Sequence, residues 1–343
     1  MNSGVSFEDK ELDQFVSHFT LPRKTPFPPS SKQKKVIVIS GPTAVGKTQM
    51  SLLIAGALGG EIISADSMQV YRGMDIGTAK VTPQQQEKVR HHLIDIRELS
   101  ESFNVVDFYN EAHEALKEVF NKGHVPIVVG GTGFYIHALL YGPPSGPPSV
   151  PQMREKLENE MHEQGAKALY EKLKLLDPDY AVTITECDRH KIVRALEIIS
   201  LTNQKVSAFG RSKAPAMDNY DFRCWFIHLP KEKVYKRIEE RCENMLAEGF
   251  IEEVRLLEKR GLRNHLSASQ AIGYRQCLDF LRSPQTGQDL ERFILQFKQA
   301  SRRYAKRQFT WFRKEPLFRW LNLDEVQVEM AIEMIIQDYE LSF

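Results

Sequence analysis

The chain has 343 residues, with 46 Lys and Arg against 45 Asp and Glu. This length supports one large or two moderate domains. The near-neutral balance excludes a globally basic nucleic-acid binder, so any such site must come from local clustering. Four scattered cysteines, Cys187, Cys224, Cys242 and Cys277, exclude a disulfide framework and a zinc finger. No run approaches the ~18 apolar residues of a membrane span, and the acidic N-terminus lacks a signal-peptide core, so no membrane association and a cytoplasmic location are expected.

Residues 1–35 read as a leader and linker. Ser6 and Asp9 can cap a short helix with Leu12, Phe15, Val16 and Phe19 on one face, or the segment is a disordered tail; residues 21–31 are rich in proline and serine. Then Val36, Ile37, Val38 and Ile39 form a β-branched strand, and Gly41, Pro42, Thr43, Ala44, Val45, Gly46, Lys47 and Thr48 fit the G-x-x-x-x-G-K-[ST] phosphate loop at every fixed position. A helical composition follows from Gln49. Strand, loop and helix are the context in which backbone N–H groups and a helix N-terminus cradle phosphates. There Lys47 brings a full charge and the Thr48 hydroxyl can ligate Mg²⁺.

Residues 61–66 read as a second buried strand ending at Asp66, which should point into the crevice that holds Lys47. An acid there can accept a proton or hold Mg²⁺ indirectly; a cap or turn role is the alternative. Residues 73–80 form a polar loop. His91 and His92 raise a metal reading, but neighbours on a strand face opposite ways and no third ligand is close, so they are not counted as ligands. A helix with 3.6 periodicity spans residues 108–120, and a third buried strand over residues 125–129 runs into Gly-Gly-Thr-Gly at 130–133. An NTPase that hydrolyses or transfers a γ-phosphoryl usually ends such a strand in an acid. Glycines and Thr132 suit holding a diphosphate without hydrolysing a nucleotide.

The proline-rich stretch 141–151 marks a boundary. Residues 147–222 read as an all-helical insertion into a parallel-sheet core made of residues 36–146 and 223–343, the strand resuming at Arg223. From Lys231 the chain is helical. Arg237 and Arg241 share a face, and residues 270–275 read as a turn or helix start. Residues 298–314 carry Lys298, Arg302, Arg303, Lys306, Arg307, Arg313 and Lys314 without an acid, interleaved with Tyr304, Phe309, Trp311 and Phe312. Arg302, Arg303, Lys306 and Arg307 share one helical strip, suited to an RNA backbone.

Seven segments together resemble the tRNA dimethylallyltransferase family: residues 41–48, Asp66 to Lys80, His91 to Asp95, Gly130 to Tyr135, Arg194 to Glu197, Gln270 to Arg275 and Tyr304 to Arg313, in the family's order. The resemblance implies a P-loop NTPase-like α/β core with a helical insertion that grips the anticodon stem-loop. The implied reaction moves a dimethylallyl group from dimethylallyl diphosphate to N6 of adenosine 37 in tRNA. Asp66 is then the general base, with Lys47, the loop amides, Mg²⁺ on Thr48 and Arg241 around the diphosphate. By the same resemblance Ser67, Met68 and Gln69 line the flipped base, and Thr132 lies beside the reacting amine. Arg154 and His190, Lys191, Ile192, Val193 and Arg194 touch the tRNA, as do Gln270, Gly273, Tyr274 and Arg275, with Lys306 and Arg307 on the basic strip. Without the zinc finger of eukaryotic relatives, the chain resembles the bacterial type, expected to be a monomer. The competing readings are a prenyltransferase for free adenine nucleotides, a small-molecule kinase binding ATP at the same loop, and a noncatalytic RNA-binding protein.

Overall fold

The computed structural model describes residues 34–144, 146–209 and 220–341. The expected leader helix and linker therefore lie outside the described residues up to residue 33. Lys34 and Lys35, expected in the linker, instead open β1 (Lys34–Ser40), pairing with Tyr220 and Asp221. The Lys35 ammonium donates to the carbonyls of Tyr339, at 2.8 Å, and Leu341, at 2.7 Å. Val36 to Ile39 have no exposed surface, as expected of a parallel strand covered on both faces.

After β1 come α1 (Lys47–Leu58), β2 (Gly60–Ser64), α2 (Pro83–Lys88), β3 (His91–His92), α3 (Val105–Asn121), β4 (Val125–Val129) and α4 (Gly133–Tyr141). The 3.6 periodicity of α3 buries Phe108, Ala112, Ala115, Leu116 and Val119, and Asn104 caps it through a reciprocal pair with Asp107. Among the described residues, one compact unit comprises residues 34–142 and 220–341, and a second lies within residues 143–209. The second unit holds α5 (Pro151–Gln164), α6 (Ala166–Leu176), α7 (Pro178–Ala181) and α8 (Arg189–Thr202) around its own core, which includes Leu157, Leu169, Leu173, Ile192 and Leu196.

The first unit resumes with β5 (Tyr220–His228), α9 (Lys231–Ala247), α10 (Phe250–Lys259), α11 (Tyr274–Arg282), α12 (Gly287–Phe312), β6 (Arg319–Asn322) and α13 (Val328–Glu340). β5 thus starts three residues before the expected strand, because Tyr220 to Phe222 continue the ladder with Lys34 to Val36. β6 was absent from the sequence reading; its four residues pair with Trp225 to His228. The six strands lie in the order β3-β2-β4-β1-β5-β6, and every pair is parallel. This is the expected P-loop-like α/β core. The loops after β1, β2 and β4 leave the sheet at the same edge, where a ligand crevice forms.

Candidate active site

The phosphate loop is bent into a nest by two left-handed residues, Ala44 at φ 64° and Gly46 at φ 104°. The second is the N-cap of α1, and glycine takes that conformation without the Cβ clash. Among the described residues, the N–H groups of Ala44 to Gly46 make no hydrogen bond, so they are open to an anion at the positive end of α1. Lys47 folds over its own loop, its ammonium donating to the carbonyls of Gly41 at 2.9 Å and Pro42 at 2.8 Å. Burial first and the nearby Arg241 guanidinium second, against the opposing Asp66 carboxylate, bring its pKa down to about 7. Burial also lowers the pKa of Arg241, again against Asp66. An anion entering this site would relieve the repulsion between the two cations.

A cleft of about 280 Å³ opens beside the loop, lined among others by Thr43, Asp66, Met68, Arg241, Tyr304 and Arg307. Asp66 Oδ1 accepts from the N–H of Met68 at 2.9 Å and of Gln69 at 3.4 Å, which fixes the carboxylate. Its other oxygen has no hydrogen-bond partner among the described residues. Thr132 Oγ1 accepts from the N–H of Ser67 at 3.1 Å, tying the end of β4 to the turn after β2. The Tyr304 hydroxyl donates to the Gly131 carbonyl at 3.3 Å. Burial, reinforced by the Asp66 charge, raises its pKa, so it stays a neutral donor.

Two polar residues that sequence reasoning missed organise the surroundings. Gln308, 4% exposed, accepts from the Thr43 N–H at 2.9 Å and donates to the Gly131 carbonyl at 3.0 Å. It therefore staples the phosphate loop to the glycine loop after β4. Its signal was an amide on the buried stripe of α12, with Phe297, Ser301, Ala305 and Phe312, since a buried polar group needs partners. The Glu253 carboxylate accepts from the N–H groups of Asp75, Ile76 and Gly77 and from the Tyr274 hydroxyl, at 2.6–3.2 Å. That clasp fixes the Thr78 carbonyl, which receives Arg241 Nη2 at 3.4 Å and Gln69 Nε2 at 3.3 Å. Lys80, with a 3% exposed side chain, donates to Asp75 and Asp95 at 2.6 Å each, joining residues 66–80 to residues 91–95. No local pattern marked these long-range partners.

Several residues expected to touch tRNA are placed otherwise. Ile192 and Val193 are core residues of the second unit, because their positions on α8 fall on its apolar stripe. Arg194 is held internally, donating to Glu197 at 2.7 Å and to the Pro147 carbonyl at 2.5 Å. Glu197, fully buried, also accepts from Ser149 and the Val150 N–H, so the pair pins the start of this unit to α8. Gly273 and Tyr274 are buried, and the amide of Gln69 is spent on Ser64 and Thr78. Arg154, half-exposed, pairs with Glu158, whereas His190, Lys191, Gln270 and Arg275 are exposed. The basic strip is not free of acids in space: Lys298 meets Glu243 at 2.6 Å, and Arg302 meets Glu239. Arg303, Lys306 and Arg307 have no acidic partner among the described residues. His92 and His124 both hydrogen-bond the buried Glu61 at 2.6 Å, and no group of three or more His, Cys, Asp and Glu among the described residues could hold a metal ion.

The family model described as IPP transferase matches residues 69–315. A tRNA dimethylallyltransferase of Protochlamydia amoebophila is 57% identical over 343 residues, covering 99% of this chain and 100% of that one. One of Chlamydia pneumoniae is 47% identical over 310 residues, covering 90% and 91%. Among solved structures, the full-length tRNA isopentenylpyrophosphate transferase of Bacillus halodurans aligns with a TM-score of 0.64 at 38% identity, over 90% of this chain and 98% of that chain. A eukaryotic dimethylallyltransferase acting on tRNA aligns with a TM-score of 0.71 at 27% identity, over 88% and 78%.

Proposed function

The chain belongs to the IPP transferase family and transfers a dimethylallyl group to tRNA, and from that membership we propose that its cleft moves the group from dimethylallyl diphosphate to N6 of adenosine 37. The observation that carries the assignment of roles is the closeness of one carboxylate, Asp66, to two half-buried cations, Arg241 in the same cleft and Lys47 on the phosphate loop beside it. The adenine amine is a weak nucleophile because its lone pair is delocalised into the ring. As N6 bonds to the allylic carbon, the C–O bond to diphosphate breaks and its electron pair leaves with diphosphate. Asp66, through the oxygen not used by Met68 and Gln69, accepts the N6 proton. Lys47, Arg241 and the N–H groups of Ala44 to Gly46 stabilise the charge growing on the leaving group.

Mg²⁺ fits this donor set as an ion held chiefly by substrate phosphates, its usual mode, with Thr48 as the protein's contribution; the Thr48 hydroxyl is exposed at the first turn of α1. When bound, Mg²⁺ supplies further positive charge to the leaving diphosphate. Ser67 and Met68 face the acceptor base, with Thr132 holding Ser67 in place. The exposed His190, Lys191, Gln270, Arg275, Lys306 and Arg307, with the half-exposed Arg154, are the cations and donors offered to tRNA. No helix of the described residues is long and apolar enough to cross a membrane, and we place the reaction in the cytoplasm.

The test is mass analysis of nucleosides after incubation with dimethylallyl diphosphate, Mg²⁺ and an anticodon stem-loop carrying adenosine 37, with AMP in a parallel reaction. One added dimethylallyl group on adenosine 37 is expected. Product on AMP alone would move the assignment to a free-nucleotide enzyme. Asp66→Ala should lower turnover at least ~10²-fold while stem-loop affinity stays within about twofold; a fully active variant would remove Asp66 from the mechanism.

A further inference from the structure

Beside the turn that carries Thr132 lie two aromatic rings that the transfer chemistry does not use, Phe134 at the start of α4 and Trp311 on α12. Phe134 is 44% exposed and Trp311 38% exposed. Trp311 is nevertheless boxed in. Its indole packs on the backbone at Gly133 so closely that a Cβ there would stand 2.4 Å from Cδ1. The rings of Phe134 and His137 meet it edge-on, each 6.3 Å away between centroids, at 69° and 84°. His137 is itself fixed by the buried Glu315 carboxylate at 2.9 Å. An aromatic ring held on several sides and still open to solvent on one is a preformed surface, unlike a core residue that merely reaches the exterior.

The face of α12 that bears Trp311 leads into the cleft. Tyr304 lines the cleft, the Arg307 guanidinium sits 5.5 Å from the Tyr304 ring centroid, and Trp311 follows one turn later. Spacing of i, i+3 and i+7 puts the three planar groups on one helical face, spanning roughly 10 Å along the axis. Arg303, exposed and without an acidic partner among the described residues, flanks this track one turn before Arg307, and Lys314 follows just past the end of the helix. Alternating planar and cationic groups are what an unstacked RNA strand binds, its bases against rings and its phosphates against cations. A purely apolar partner would leave those cations without counter-charges.

We propose that Trp311, braced by Phe134, is the stacking platform for the RNA base adjacent in the strand to the one held in the cleft. This deepens the reading of tRNA as acceptor and rests on it. The bound strand then passes from the cleft over Arg307 to Trp311, and the platform supplies affinity for the loop without entering the chemistry.

The experiment uses the full chain and anticodon stem-loops with 2-aminopurine in place of the base on either side of the target. On binding the unsubstituted protein, one of the two probes should be quenched. Trp311→Ala should abolish that quench and raise KM for the stem-loop roughly 5- to 100-fold, the usual worth of one stacked base, leaving KM for dimethylallyl diphosphate unchanged. Trp311→Phe should restore most of both, which separates stacking from a folding defect, and Phe134→Ala should give a smaller loss. Trp311→Ala with an unchanged quench and stem-loop KM would overturn the platform while leaving the tRNA assignment standing. Failure of the unsubstituted protein to bind or modify any stem-loop would overturn both.

Discussion

Gln308→Ala is the perturbation whose consequence follows most directly from the geometry. The side chain is 4% exposed and bridges Thr43 N–H and the Gly131 carbonyl at 2.9 and 3.0 Å. Truncation strands the Thr43 N–H at the edge of the cleft, while the Gly131 carbonyl loses one of its two donors and keeps the Tyr304 hydroxyl at 3.3 Å. At about 1–3 kcal/mol for an unsatisfied buried group, reduced where water reaches the N–H, and about 0.5–1.5 kcal/mol for the bond lost at Gly131, the loss of stability should be about 1–3 kcal/mol. The loss of function should be larger than this suggests. The phosphate loop and the Gly130 to Gly133 loop would no longer be held at a fixed spacing, and a misplacement of about 1 Å at a reacting centre can cost on the order of 10²-fold. We therefore expect kcat to fall by ~10- to 100-fold in Gln308→Ala, measured at a temperature where circular dichroism shows the variant folded. Gln308→Glu keeps the acceptor for Thr43 N–H but sets a carboxylate against the Gly131 carbonyl and near the diphosphate. It should chiefly raise KM for dimethylallyl diphosphate. Wild-type kcat and KM in a folded Gln308→Ala protein would refute the view that this amide spaces the two loops.

Lys47, held near 7 against an ordinary 10.5, should take up a proton when an anion binds at higher pH, because the diphosphate favours the charged form. Affinity for inorganic pyrophosphate should therefore fall as pH rises from 7 toward 10, by up to about tenfold per unit, and Lys47→Arg should lose this component; calorimetry in buffers of different ionisation enthalpy counts the proton. At Glu61, burial alone would raise the pKa, but hydrogen bonds from His92 and His124 and from Lys122 outweigh it and hold the carboxyl at about 2. Its stabilising contribution is present above pH 4.5 and lost as pH falls toward 2, on the order of 1–3 kcal/mol; urea titrations at pH 6 and pH 3 should show a smaller difference in Glu61→Gln. Arg194→Ala leaves the buried Glu197 charge without its cation, so it should lower the melting temperature measurably. Lys191→Ala, three residues away but exposed, should leave melting unchanged and reduce the salt dependence of stem-loop binding by about one unit of slope.

The phosphate loop, the strand before it and Asp66 were legible because each is a local pattern: a β-branched run, fixed glycines and an acid at a strand's end. The buried strands β1, β2 and β4 were legible for the same reason, since strands covered on both faces are written as continuous apolar runs. β6 was not, because Arg319 and Trp320 are exposed and only Leu321 carries a core signal. The segment at residues 190–194 shows where a motif misleads. Its residues alternate on α8 between core, internal ion pair and surface, and the sequence alone does not say which residue does which.

The sequence by itself determined the kind of chemistry: an anion nest with a lysine, a nearby carboxylate and a diphosphate-holding glycine turn, all encoded within short windows. Only the tertiary structure decided how those pieces are held to one another. Gln308 meets Thr43 across 265 residues, and Glu253 meets Ile76 across 177. It also decided which cations of α12 remain for a ligand, since Glu239 and Glu243 of α9 take Arg302 and Lys298 and leave Arg303, Lys306 and Arg307. The physical reason is that hydrogen bonds and ion pairs are made between whatever groups the fold brings within about 3 Å, and that proximity is a property of packing between distant segments that no local window contains.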